Sequence, residues 1–199
     1  MQKKHRIFIA VNFPKDIKKV LERYQEKWAE LPAKWTPVDN LHITLLFLGD
    51  VTDEELGDVC VIAKEIAARH NSIDIQLNKV AYGPDDPPSP EASVGQGKIP
   101  RMVWASGEKS KELSALRNDL ENALLEKVRF VPDNRGLTPH VTLARIAAFA
   151  WRQIEPEERP EIYDNIDLLF TAESIEVMES ELKKGGPQYT IIESCSLKD

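Results

Sequence analysis

The sequence predicts an α+β fold made of two halves of similar build. Three observations predict it. Short apolar runs of strand length alternate with amphipathic stretches of helical period. The same tetrapeptide pattern occurs once in each half, as His42-Ile43-Thr44-Leu45 and His140-Val141-Thr142-Leu143, about half the chain apart. The 199 residues, 42% hydrophobic and 30% charged, suit one domain of two closely packed lobes spanning 1–199.

The elements follow in order. Ile7 to Val11 is an apolar run ended by Asn12-Phe13-Pro14, read as a buried strand. Residues Asp16 to Glu30 place Ile17, Val20, Leu21, Tyr24 and Trp28 on one helical face, and Pro32 closes the helix. Trp35 to Val38 reads as a short edge piece. Leu41 to Leu48 is the second main strand, expected to stop at Gly49-Asp50. Thr52-Asp53-Glu54-Glu55 has capping-box form and opens a helix carrying Leu56, Val59, Cys60, Ala63, Ile66 and Ala67. Ile73 to Ala81 alternates as a strand. The stretch 82–99 holds Pro84, Pro87, Pro88 and Pro90 without periodicity and reads as a loop, most simply a solvated one. Met102 to Ala105 resumes as a strand. Glu108 to Glu126 is a helix striped by Leu113, Leu116, Leu120 and Leu124. Pro139 to Ile146, Ile166 to Phe170, Ser174 to Met178 and Gln188 to Ile192 read as strands.

Composition removes several function classes. With 26 basic and 33 acidic residues the net charge is −7, which argues against a protein that coats nucleic acid through a broad basic face. No apolar run reaches the roughly 18–20 residues of a membrane helix, and the start lacks the form of a signal peptide, so no membrane partner is expected. Cys60 and Cys195 cannot form a disulfide framework and read as two thiols of a cytoplasmic protein. No oligomer seam is legible, so a monomer is expected.

The repeated tetrapeptide carries the chemistry. In a strand, residues i and i+2 share a face, so His42 with Thr44, and His140 with Thr142, stand opposite the aliphatic residues between them. The other two histidines, His5 and His70, read as solvated surface groups. Unperturbed histidine titrates near pH ~6.5, so a pair in one pocket supplies one neutral base and one charged acid. Threonine hydroxyls donate to anionic oxygens, and the guanidinium of Arg145, three residues past Thr142, suits a phosphate. The set fits phosphodiester cleavage with no cofactor. Metal catalysis finds no cluster with ligand spacing, and nucleophilic serine or cysteine catalysis finds no supporting motif. A non-catalytic nucleotide- or RNA-end-binding module on the same scaffold is the alternative.

These residues resemble the two-histidine (2H) phosphoesterases, and more closely the RNA 2′,3′-cyclic phosphodiesterase branch, also called 2′-5′ RNA ligases. The resemblance rests on both His-x-Thr-Leu motifs, on Ala144-Arg145 after the second, and on Arg6-Ile7-Phe8-Ile9-Ala10-Val11. It extends to Phe47-Leu48-Gly49, Pro100-Arg101-Met102-Val103-Trp104, Ser180-Glu181-Leu182 and Gly186-Pro187-Gln188-Tyr189. It implies a bilobal, pseudo-twofold fold with two antiparallel sheets around a central cleft and helices outside. It implies hydrolysis of a ribose 2′,3′-cyclic phosphate on RNA ends or nucleotides to a 2′-phosphomonoester, with 2′-5′ ligation as the reverse. The family roles fall on His42 and His140 as acid and base, and on Thr44, Thr142 and Arg145 as phosphate contacts. Phe13 stands where the family often offers a base-stacking aromatic, although packing on the following helix explains it equally well. The near-symmetric motifs leave acid and base open, with His140 as base and His42 as acid the first assignment. The loop at 82–99 is longer than the family's usual turn. Recognition of one terminal phosphate and its neighbouring base is expected, with a gentle salt dependence.

Overall fold

The computed structural model describes residues 3–84, 99–132, 136–184 and 186–198. The strands are β1 (Lys4–Asn12), β2 (Ala33–Trp35), β3 (His42–Thr52), β4 (Ile73–Gly83), β5 (Met102–Gly107), β6 (His140–Ile146), β7 (Tyr163–Ala172), β8 (Ser174–Lys183) and β9 (Gly186–Ser196). The helices are α1 (Lys15–Lys27), α2 (Asp53–Ala67), α3 (Lys111–Leu125) and the single turn α4 (Ala148–Trp151), with short 3-10 turns at Val38–Asn40 and Pro156–Glu158.

Each main helix forms where its apolar stripe meets a sheet. Leu113, Leu116, Leu120 and Leu124 are all at most 1% exposed along α3. Each contributes roughly 1.5–3 kcal/mol by leaving water. Ser110 caps α3, its hydroxyl accepting from Leu113 N at 3.0 Å. The capping box of α2 forms as its sequence predicts. Glu55 N donates to Thr52 Oγ1 at 3.2 Å, and Thr52 N donates to Glu55 Oε2 at 2.8 Å.

The strands lie in the order β7-β4-β5-β6-β3-β1-β8-β9, with β2 on the free edge of β6. All the strand pairings are antiparallel. The two expected sheets are therefore continuous, but the continuity is thin: β3 and β6 share the single pair Ile43↔Val141. On one side of this seam stand β3, β1, β8 and β9; on the other stand β6, β5, β4 and β7. In each lobe a strand and a helix (β1 then α1, β5 then α3) precede the strand that begins with histidine. The helices face a common core that includes Ile7, Ile9, Ile43, Leu45, Val141 and Leu143.

Several boundaries differ from those predicted. The strand expected to end at Gly49 runs on to Thr52. Gly49 takes φ +76° and sits where the register with β1 slips between Ile7 and Phe8. A glycine in the left-handed region is what such a bulge needs, so Gly49 bends the strand without ending it. β7, β8 and β9 are each longer than their apolar runs, because much of their length is exposed and carries polar residues. The predicted loop at 82–99 opens with the last strand residues of β4, and residues 85–98 lie outside the described residues.

Candidate active site

The single pair Ile43↔Val141 sets the site. Both side chains are fully buried. Extending that antiparallel register by one residue each way puts His42 across from Thr142, and Thr44 across from His140. The strands part on either side of the pair, and all four polar side chains are half-buried there. A local twofold axis thus passes between the motifs and crosses each histidine with the other strand's threonine.

The two imidazoles are held alike. His42 Nδ1 lies 2.7 Å from the carbonyl oxygen of Asn40, and His140 Nδ1 lies 2.9 Å from that of Thr138. A carbonyl only accepts, so Nδ1 carries the proton in both rings and each Nε2 is the nitrogen left for chemistry. His42 Nε2 is 3.0 Å from Thr44 Oγ1, whose hydroxyl donates to it when the ring is neutral. Each ring also rests on an aromatic. Phe8 lies 5.0 Å from His42, centroid to centroid, and Trp104 lies 4.0 Å from His140. Trp104 has its seat because residue 83 is glycine: a Cβ there would drive into the indole.

The surroundings then diverge. Burial pushes the His42 pKa below its ordinary value, and the positive charges of Lys18 and His140 push the same way, against the bond to Asn40. The balance biases the imidazole toward its neutral form. Among the described residues no group of three or more His, Cys, Asp or Glu is placed to hold a metal ion.

Arg145 reaches this face only through a bulge. It is an odd number of residues from Thr142, so strict alternation would turn it to the core. The β5–β6 register slips between Val103 and Trp104, which pair with Ala144 and Thr142. Leu143 and Ala144 are consecutive buried residues, and Arg145 emerges exposed on the side of Thr142. Both reach one sulfur: Met102 Sδ is 3.7 Å from Arg145 Nη1 and 3.8 Å from Thr142 Oγ1. The first motif does the same. The β1–β3 register slips between Ile9 and Ala10, Leu45 and Leu46 are both buried, and Phe47 emerges 51% exposed. Phe47 stacks on Phe8 at 5.6 Å, with the Arg6 guanidinium 5.5 Å from its ring centroid. Phe47 and Arg145 are thus twofold counterparts on the two rims.

Two readings made from sequence change. Phe13 is only 6% exposed and packs edge to face on Phe170 at 4.8 Å within the main core. A ring so enclosed does not present a face to a base. The place reads as packing because Phe13 follows the strand's core-facing residues and caps the core beside α1. His5 is no surface histidine. It is 7% exposed and bonds Glu179 Oε1 at 2.6 Å and Asp53 Oδ1 at 2.9 Å. The aromatic neighbours Phe8, Phe47, Trp104 and Tyr189 went unassigned to the site. Their signal was their position on the strands flanking each motif, where register decides contact.

A cleft between two lobes, entered by one histidine and one threonine from each, defines a two-histidine phosphoester site. Residues 9–90 match the family described as LigT like Phosphoesterase. The chain is 31% identical over 199 residues to the RNA 2′,3′-cyclic phosphodiesterase of Thermus thermophilus, covering 97% of this chain and 90% of that one. It is 27% identical to the Methanocaldococcus jannaschii protein of the same name over 94% of this chain and 98% of the other. The crystal structure of TT0787 from Thermus thermophilus superposes with a TM-score of 0.79 at 28% identity, covering 97% of this chain and 98% of that chain. That of E. coli LigT with 3′-AMP shares the fold, with a TM-score of 0.75 at 22% identity over 99% and 100% of the two chains. The chain belongs to the LigT-like RNA 2′,3′-cyclic phosphodiesterase family of two-histidine phosphoesterases.

Proposed function

We propose that this protein hydrolyses the 2′,3′-cyclic phosphate of an RNA or nucleotide end to a 2′-phosphomonoester, with 2′-5′ ligation as the reverse reaction. The observation that carries the reading is the matched tethering of His42 and His140 through Nδ1, which leaves one Nε2 from each lobe for chemistry beside the single pair that joins the lobes. The phosphate sits between them. Thr44, Thr142 and Arg145 donate to its non-bridging oxygens and favour the charge that grows in the transition state. One imidazole takes a proton from water as the water oxygen bonds to phosphorus. The bond from phosphorus to O3′ breaks, and the other imidazole, as imidazolium, gives O3′ a proton.

Burial biases the His42 imidazole toward its neutral form, so His42 is taken here as the base, where the first assignment from sequence took His140. Phe47 supplies the exposed ring that Phe13 lacks and is proposed as the platform for the terminal base. The relatives named above are RNA 2′,3′-cyclic phosphodiesterases, and E. coli LigT was solved with 3′-AMP; both fit a nucleotide end as substrate. Among the described residues no helix is long and apolar enough to cross a membrane. Cys60 and Cys195 are unpaired thiols, which suits work in a reducing cytoplasm.

The test is incubation with nucleoside 2′,3′-cyclic phosphates in excess chelator, with the product isomer identified. Turnover to the 2′-phosphate is expected. Binding without turnover, or turnover only with added metal, would overturn the reading.

A further inference from the structure

The seam treats its two histidines alike through the strands and unlike through what covers them. The difference is the β8–β9 hairpin, which belongs to one lobe and closes over His42. Tyr189, on β9, meets the His42 ring edge-on at 5.2 Å and an interplanar angle of 84°. The same tyrosine packs on Phe8 at 5.1 Å, and Phe8 in turn carries His42. Phe8, Ala10, Met178 and Tyr189 form a small apolar cluster apart from the main core, so these rings hold each other in place on the cleft side of the sheet.

The second connection is polar. The carbonyl of Asn40 accepts from His42 Nδ1, and the side-chain amide of Asn40 donates to the carbonyl oxygen of Pro187 at 2.8 Å. Pro187 is two residues from Tyr189 on the same strand. A closed circuit results: His42 to the Asn40 main chain, the Asn40 side chain to Pro187, Pro187 along β9 to Tyr189, and Tyr189 back to His42. The start of β9 is also seated against β2, since a Cβ on Gly186 would come within 2.9 Å of Lys34 Nζ. Among the described residues no such circuit closes around His140. Its aromatic partner Trp104 comes from the neighbouring strand β5, and among the described residues the Thr138 side chain makes no bond to a covering element.

We propose that the β8–β9 hairpin, through Tyr189 and the Asn40–Pro187 bond, is the positioning element of His42, and that it makes two histidines from matching strands unequal. The inference rests on the reading of His42 as acid or base given above. Two equivalent imidazoles would share their protons evenly, whereas hydrolysis needs one neutral and one charged ring at the same time. The hairpin supplies the inequality by laying Tyr189 against the His42 ring and by tying its own strand to Asn40, whose carbonyl holds His42 Nδ1. The charged or titratable groups facing His42 are Lys18 from α1, His140 from β6 and Tyr189 from β9. Of these Tyr189 alone belongs to the hairpin, and its phenol is uncharged near neutral pH, so changes in the hairpin alter the cover without altering the local charge.

The experiment compares wild type with Asn40→Ala, Tyr189→Ala and Tyr189→Phe. It measures kcat and KM on a nucleoside 2′,3′-cyclic phosphate, and follows the His42 ring proton by NMR as a function of pH. Asn40→Ala and Tyr189→Ala should lower kcat by about 10- to 100-fold, as small misplacements of a reacting group do, with KM within a few-fold of wild type. In Tyr189→Ala, which uncovers the ring, the His42 titration should move up toward the ordinary value, and in Asn40→Ala it should also depart from that of wild type. Tyr189→Phe keeps the ring and should rescue both readouts. An unmoved His42 titration with unchanged kcat in both alanine variants overturns the proposal, as does a fall in kcat that only tracks loss of folded protein by circular dichroism. Wild type without turnover would instead overturn the enzymatic reading, while the NMR titrations would still decide whether the hairpin sets the state of His42.

Discussion

The strands β3 and β6 start from the same four-residue pattern, form the same i−2 carbonyl bond and bulge at the same place. They nevertheless present different sites. β3 ends its cleft face with Phe47 and has its histidine covered by the hairpin; β6 ends with Arg145 and has its histidine on a tryptophan face. One rim offers an aromatic ring with the Arg6 guanidinium beside it, the other the exposed guanidinium of Arg145. A symmetric scaffold becomes directional through single residues at equivalent positions, and direction is what an asymmetric substrate such as a nucleotide end requires.

The sharpest way to break this comparison is at the histidines. His42→Ala and His140→Ala should each lower kcat/KM by roughly 10²–10⁴. The double variant should lose far less than the product of the two, since the rings act as a unit. A phosphodiester with a nitrophenol leaving group, which departs without a proton, separates the roles. His140→Ala should regain most of its loss on that substrate and His42→Ala should not; the reverse result exchanges base and acid.

The Arg145 rim comes next. Arg145→Ala should raise KM by about 10- to 100-fold, the effect of losing charge-assisted hydrogen bonds of about 1.5–3 kcal/mol. Arg145→Lys should recover only part, because a point charge does not reproduce the planar fork. The Phe47 rim should matter less. Phe47→Ala should raise KM for a nucleoside cyclic phosphate by about 5- to 50-fold through lost stacking, with kcat little changed. An Arg145 effect that depends on the base, or a Phe47 effect that does not, would show that the rims have been assigned to the wrong ends.

The smallest expected effect lies away from the cleft and concerns stability alone. Both nitrogens of His5 contact carboxylates, Asp53 at the start of α2 and Glu179 on β8, and carboxylates only accept. His5 is therefore held as imidazolium, and its hydrogen bonds to Asp53 and then Glu179 raise its pKa above 6.5 against burial. A raised folded-state pKa means that the stabilisation is fully present below about pH 6.5 and is lost as pH rises through the folded value. Melting curves should show wild type above His5→Gln in mildly acid buffer, with the gap closing as the medium turns alkaline. A gap independent of pH would remove the charge from the account.

The legible part of the site was the part that local pattern controls. Two residues apart in a strand is a statement about one face, so His42 with Thr44, and His140 with Thr142, could be placed before any fold was known. Helix α2 was legible for the same reason, its cap and stripe lying within a few residues of each other. Arg145 was chosen for its chemistry, yet its facing depends on a bulge that exists only because β5 and β6 pair with a slip between Val103 and Trp104. Phe13 misled because an aromatic after a strand looks the same whether it meets a base or Phe170. His5 misled because its partners, Asp53 and Glu179, are distant in sequence.

The sequence by itself determined the α+β class, the two-lobe organisation, the four polar residues of the paired motif and the choice of acid–base chemistry. Each follows from spacing within one segment or from a pattern repeated along the chain. The tertiary structure alone decided that the lobes meet at one residue pair, that Arg145 and Phe47 turn into the cleft, and that the hairpin carrying Tyr189 covers one histidine and not the other. Those depend on register and on contacts between strands far apart in sequence, which side-chain identity does not encode one position at a time.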